Sequence, residues 1–225
     1  MRNDQITPEI VYQDNHLIAV NKPPGILTQP SGTTRQSMEE IVKRWVKRTC
    51  HKPGQVYLHA VHRLDRLASG IVLFARTGKA LSRMNTEIRL KRVTRIYHAL
   101  VEGRPPFTEG TLEHSLRHSR LRARVTTEDD SRSRMSVLTY RTVQELGDRS
   151  LLEIVLETGR YHQIRAQFAA CGCPIVGDTR YGGSLPNTFG GIALLHKKMI
   201  FAHPTLTIPV TIEVSYPMGW LIEGE

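Results

Sequence analysis

A carboxylate lies between two arginines in the segment His62-Arg63-Leu64-Asp65-Arg66-Leu67-Ala68-Ser69-Gly70. The neighbouring guanidinium groups favour the ionised form of Asp65. An ionised, partly desolvated carboxylate is a competent nucleophile. An Arg–Asp pair that only stabilises a turn would leave the same local sequence. A second polar segment, Thr158-Gly159-Arg160-Tyr161-His162-Gln163-Ile164-Arg165, stands between a strand pattern and a helix start. Backbone N–H groups at a helix N-terminus suit a phosphate, and His162 and Arg165, three apart, share one helix face. The plain alternative is an ordinary polar first turn. His62, Arg63, Arg160 and His162 are the candidate contacts to an anionic partner in these two segments.

A third cluster is arginine-rich: Arg117, Arg120, Arg122, Arg124, Arg132 and Arg134. On a strand, Arg120, Arg122 and Arg124 would share one face, a stripe for backbone phosphates whose binding falls with salt. A solvated loop, partly balanced by Glu128, Asp129 and Asp130, is the competing reading. The whole chain carries a formal charge of +10 over 225 residues. Such a surface attracts polyanions, nucleic acid first among them.

The elements that must position these groups are legible from pattern. Ile10 to Val20 reads as two short strands about a turn at Asp14-Asn15, followed by the stiff turn Asn21-Lys22-Pro23-Pro24-Gly25. Ser37 opens a helix, with Glu40 completing a capping box and Met38, Ile41, Val42, Trp45 and Val46 on one apolar stripe. Its other face carries Lys43, Arg44, Lys47 and Arg48. Gly70 to Arg76 is a short apolar run, expected as a buried strand. A second helix covers Lys79 to Leu90, with Leu81, Met84 and Ile88 inward. Val93 to Val101 alternates as a strand and puts Val93, Arg95, Tyr97 and Ala99 on one face. Val137 to Val143 and Leu151 to Glu157 form a hairpin about Gly147-Asp148. A helix from about His162 ends at Gly172, a left-handed cap, and Thr205 to Tyr216 closes the chain as a strand. Strands outnumber helices without regular βαβ alternation. The expected class is therefore α+β, a mainly antiparallel mixed sheet with flanking helices, with residues 1–225 as a single domain.

Apolar residues make up 40% of the chain and charged ones 23%, enough for a core and too little charge for disorder. Three cysteines, Cys50, Cys171 and Cys173, do not make a disulfide framework and point to a reducing compartment. MRNDQITPEI has no apolar leader region, and no run approaches the roughly 18 apolar residues of a membrane span. The expectation is a cytoplasmic protein with no membrane partner.

HRLDRLASGIVLFAR resembles the catalytic motif of the RluA-type pseudouridine synthases. The resemblance continues collinearly through RIYHALVEG at Arg95 to Gly103 and TGRYHQIRAQFAACGCPIVGDTRYGG at Thr158 to Gly183. It begins near NKPPG at Asn21 and ends near LLHKKMIFAHP at Leu194 to Pro204. It implies the pseudouridine synthase catalytic fold and isomerisation of specific uridines in tRNA, ribosomal RNA or both, without a cofactor. It also implies that Asp65 is the nucleophile, that Arg63 helps displace the target base, that Tyr97 stacks on that base and is placed for proton transfer, and that Arg165 pairs with the catalytic carboxylate. A target base must leave its stack to be reached, so an inserting side chain and an aromatic platform are expected. Attack on ribose, attack on uracil and help with a sugar proton are all open to Asp65. This sequence departs from the family pattern at Ala68, where threonine is usual, at Arg95, where lysine is common, and at Tyr161, where threonine is common. The family's extra N-terminal RNA-binding module has no counterpart before the match, so RNA selection is expected of the catalytic domain itself. A monomer without an obligatory protein partner is the default for this short form.

Two other classes were weighed. A binding protein of the same fold without turnover would share the charge and the arginines, but binding alone has no need of Asp65. A zinc site from His59, His62, Cys171 and Cys173 matches no standard ligand spacing, so no metal is expected.

Overall fold

Asp14 turns the first hairpin. Its Oδ1 accepts from the backbone N–H of His16 at 2.6 Å and of Leu17 at 2.7 Å, the local bonding that suits aspartate to turns. The hairpin joins β1 (Glu9–Gln13) to β2 (Leu17–Lys22). The structure is a computed structural model that describes residues 6–51, 53–119, 122–127, 131–184 and 190–220. By its internal contacts the chain divides into two units: Met1–Val93 with Lys197–Ser215, and Thr94–His196 with Tyr216–Glu225.

In the first unit, α1 (Met38–Thr49) starts at Ser37, and the expected capping box is present. Ser37 Oγ accepts from the Glu40 N–H, and Glu40 Oε2 accepts from the Ser37 N–H at 3.0 Å. Met38, Ile41, Val42 and Val46 are buried, and Arg44, Lys47 and Arg48 face solvent. β3 (His59–Ala60) and β4 (Ser69–Ala75) follow, and β4 pairs antiparallel with both β2 and β3. Every residue of β4 is buried. A fully buried aliphatic or aromatic side chain contributes about 1.5–3 kcal/mol, so β4 is the anchor onto which the Asp65 loop feeds. α2 (Gly78–Arg89) is capped by Thr77 and buries Ala80 and Met84.

The second unit is built on an antiparallel sheet. Its strands are β5 (Thr94–Glu102), β6 (Glu109–His118), β7 (Ala123–Thr126), β8 (Ser133–Leu146) and β9 (Arg149–Leu156), in the order β5-β9-β8-β6-β7. The β8–β9 turn falls on Gly147, whose φ of +64° asks for glycine. α3 (Gln163–Ala170) packs on β6 and β7 through Leu116, Ala123 and Ala166. Gly172, at φ +75°, follows its cap. β10 (Leu194–Ala202) runs through the boundary at His196 and Lys197, and β11 (Pro209–Glu213) pairs with its second half. The class is α+β with a mainly antiparallel mixed sheet; a lone bridge between Leu27 and Ser37 is parallel.

Two expectations need correction. The closing strand is Pro209–Glu213 rather than Thr205 to Tyr216, because Thr205 and Leu206 donate their N–H groups to His203 Nδ1 at 3.2 and 2.9 Å and form a turn. The arginine alternation is not one strand. Ser119 donates through its N–H and its Oγ to the Arg122 carbonyl at 2.9 and 2.8 Å, and β7 begins only at Ala123, so Arg122 lies outside the strand. Arg124 is on the strand, opposite Arg117, and Arg120 lies outside the described residues. Strands β6 and β10 had no counterpart among the expected elements, since their polar and apolar residues do not alternate cleanly.

Candidate active site

Asp65 is half-buried in the loop between β3 and β4. The loop is held from both sides of Asp65. Thr28 Oγ1 accepts from the Leu64 N–H at 3.0 Å and donates to the Leu64 carbonyl at 2.9 Å. The Gly25 N–H donates to the Arg66 carbonyl at 2.7 Å, and the Ala68 N–H to that of Asp65 itself at 3.1 Å. Beneath lies Lys22, 0% exposed. Its ammonium donates to the carbonyls of Pro23 at 2.9 Å, Ile26 at 3.0 Å and Arg66 at 3.3 Å. Three acceptors satisfy its three protons. Burial pushes Lys22 down to about 7, against the pull of the Asp65 carboxylate in the other direction. The NKPPG turn and the HRLDR loop are thus tied together by the buried Lys22 ammonium and by the Gly25–Arg66 bond.

His62 has a structural task. Its Nε2 accepts from the Leu73 N–H at 3.2 Å while the Val61 N–H donates to the Leu73 carbonyl at 2.8 Å. A ring nitrogen thereby continues the β3–β4 ladder. Arg63, beside it, is exposed.

In the second unit Tyr97 sits on β5, only 5% exposed, and stacks on His196 with ring centroids 4.4 Å apart and an interplanar angle of 11°. The ring thus has a buried imidazole against one face. Arg165 is buried on α3. Its Nε donates to Asp178 Oδ2 at 2.6 Å and its Nη2 to Oδ1 at 2.8 Å, with side chains 3% and 0% exposed. A two-pronged pair of this kind fixes the plane of the guanidinium as well as its place. Tyr181 lies against the same guanidinium, 4.9 Å from ring centroid to Cζ. The Asp178 carbonyl accepts from the Tyr181 and Gly183 N–H groups, both at 2.9 Å. Gly183 has to be glycine: a Cβ there would stand 2.3 Å from the Ile175 carbonyl oxygen.

His162 precedes α3 with φ +52°, a left-handed conformation uncommon for a side chain of this size. Gln163, the first residue of α3, ties the preceding loop to β8 rather than capping the helix. Its Oε1 accepts from the Arg160 N–H at 3.0 Å and from Thr158 Oγ1 at 2.8 Å, and its Nε2 donates to the Val137 carbonyl. Arg160 itself is exposed and reaches the Met135 carbonyl at 3.5 Å.

Of the residues singled out in sequence, His62, Arg63 and Asp65 therefore belong to the first unit. Tyr97, Arg122, Arg124, Arg160, His162 and Arg165 belong to the second. Lys22, Thr28, Gln163, Asp178 and Tyr181 escaped notice. The signal for Lys22 was a lysine closing the apolar run LIAVN. Asp178 and Tyr181 stood within the quoted GDTRYGG but had no distinguishing spacing. Burial pushes the thiols of Cys171 and Cys173 up, so both are thiols rather than the thiolates a metal takes. Among the described residues no three His, Cys, Asp or Glu side chains gather as a metal site, and no helix is long and apolar enough to cross a membrane.

The family model described as RNA pseudouridylate synthase matches residues 16–170. The ribosomal large subunit pseudouridine synthase C of Rickettsia prowazekii is 29% identical over 203 residues, 89% of this chain and 65% of that protein. The tRNA pseudouridine synthase C of Pectobacterium carotovorum is 29% identical over 231 residues, 94% of this chain and 60% of that protein. The chain thus spans less than two thirds of the length of these relatives. The solved human RNA pseudouridylate synthase domain containing 4 superimposes with a TM-score of 0.77, covering 93% of this chain and 89% of that one at 19% identity, a likeness of fold.

Proposed function

The chain belongs to the RNA pseudouridylate synthase family, and from that premise we propose that it isomerises selected uridines of RNA to pseudouridine. Asp65 supplies the nucleophilic carboxylate, Tyr97 the aromatic group for the target base, and Arg165 the fixed cation. The observation that carries the reading is that one family match, residues 16–170, takes in all three. The chemistry needs no redox partner. The N1–C1′ bond of uridine breaks, the uracil turns, and a C5–C1′ bond forms. The proton on C5 is lost and N1 ends protonated, so the atoms balance within the substrate and water. Arg63, Arg160, Arg122 and Arg124 are assigned to RNA contact, while His62 continues the β3–β4 ladder and His162 backs Tyr161, so both support the contact surface from behind. The net charge of +10 supports an RNA partner. Transfer RNA and ribosomal RNA are the two substrate classes, after the printed activities of the relatives. We further propose a cytoplasmic monomer acting as one catalytic domain.

The test is tritium release from RNA labelled at uridine C5, with tRNA and ribosomal RNA transcripts tested separately. Wild type is expected to release tritium from one class and Asp65→Asn from neither, with RNA affinity held within a few-fold. Turnover by Asp65→Asn would remove the nucleophile assignment. RNA binding without release from any transcript would favour a binding protein.

A further inference from the structure

Tyr161 is 40% exposed beside the β6–β7 hairpin, and its ring is rigidly backed. His162 stacks on it, with centroids 3.8 Å apart and an interplanar angle of 17°. His162 is in turn fixed by a 3.0 Å hydrogen bond between its Nδ1 and Tyr181 Oη, and Tyr181 Oη accepts from the Ala123 N–H at 2.8 Å. Exposed His118, at the end of β6, stands against Tyr161 at 4.5 Å with the rings tilted by 59°. Two exposed rings therefore adjoin one another, and the imidazole behind Tyr161 is buried and tied through Tyr181 to β7. An aromatic ring held in advance loses little freedom on binding a partner ring.

The surroundings say which partner. Arg160 adjoins Tyr161 in sequence. Arg122 reaches the Arg180 carbonyl at 3.4 Å, beside Tyr181. Arg117 and Arg124 face one another directly across β6 and β7. Both guanidinium groups add positive charge to this hairpin, which favours a polyanion. Aromatic rings with arginines about them are what a single-stranded nucleic acid recognises, through base stacking and backbone phosphate.

We propose that Tyr161 and His118 form a stacking site for an unpaired base of the RNA substrate, separate from the base that reacts. The inference rests on the RNA-modifying reading above and adds to it a residue that holds the substrate strand.

Labelled oligouridylate and an abasic ribose-phosphate strand of the same length are titrated against wild type, Tyr161→Phe and Tyr161→Thr over a range of salt. Tyr161→Phe, which keeps the ring, should bind as wild type does. Tyr161→Thr should bind oligouridylate about 10- to 100-fold more weakly, with the salt slope unchanged and the abasic strand bound as before. Unchanged oligouridylate affinity in Tyr161→Thr overturns the stacking site alone. Equal losses on both strands also overturn it, because an effect that ignores the bases is not stacking. Failure of wild type to bind either strand, or any folded tRNA or ribosomal RNA transcript, overturns the RNA reading and the site with it.

Discussion

Asp178 grips Arg165 through two parallel hydrogen bonds, Nε to Oδ2 at 2.6 Å and Nη2 to Oδ1 at 2.8 Å, with both side chains buried. Removing one member of such a buried pair takes from the other its two-pronged partner, at a cost of about 3–5 kcal/mol. Asp178→Asn should therefore lower the urea midpoint sharply. Replacing both, Arg165→Met with Asp178→Leu, should recover much of that stability while isomerisation stays abolished. Equal destabilisation of the single and double variants would show that the pair is not the source of the loss.

Lys22 makes stability depend on pH. The folded chain sheds the Lys22 proton near pH 7, whereas the unfolded chain keeps it to about 10.5. Across that window the unfolded state binds more protons, so this group makes the protein more stable as pH rises from about 7 to about 10.5. Lys22→Met lacks the term. Its stability relative to wild type should be highest below pH 7 and decline by a few kcal/mol up to pH 10, as read by urea unfolding at each pH. Parallel pH profiles of the two proteins would count against a depressed lysine.

Two glycines in the same motif region should behave differently. A Cβ on Gly183 would meet backbone, the Ile175 oxygen at 2.3 Å and the Asp178 nitrogen at 3.0 Å. A Cβ on Gly159 would meet the Arg95 guanidinium, nearest at Nη1 2.9 Å away, the far end of a flexible chain. Gly183→Ala should lose about 3 kcal/mol or more by overpacking against atoms that cannot move aside. Gly159→Ala should lose under about 1 kcal/mol. Thermal unfolding of the two variants compares them directly.

Arg124 faces Arg117 across the hairpin. Arg124→Gln should raise stability by a few tenths of a kcal/mol, by removing a like charge. It should also reduce the slope of log affinity against log salt for RNA by about 1, the loss of one phosphate contact. A slope identical to that of wild type would make Arg124 a solvated surface residue.

Much of this protein is determined by near neighbours along the chain and is legible for that reason. The Ser37 and Glu40 box, the Asp14 turn, the Gly147 turn and the left-handed Gly172 all follow from chemistry within about four residues. The family likeness of HRLDR and TGRYHQIR is likewise carried by contiguous residues. What only the tertiary structure decided depends on groups far apart in sequence. Lys22 is buried because the Arg66 carbonyl, 44 residues on, supplies one of its acceptors. Thr28 becomes a clamp on the Asp65 loop only when Leu64, 36 residues on, is brought against it. Arg165 finds its bidentate partner 13 residues later, after a helix end and a turn. Neither helical nor strand periodicity joins such positions, so no local pattern names them. The burial that makes a lysine titrate near neutrality and a guanidinium hold one orientation exists only once those distant segments have met.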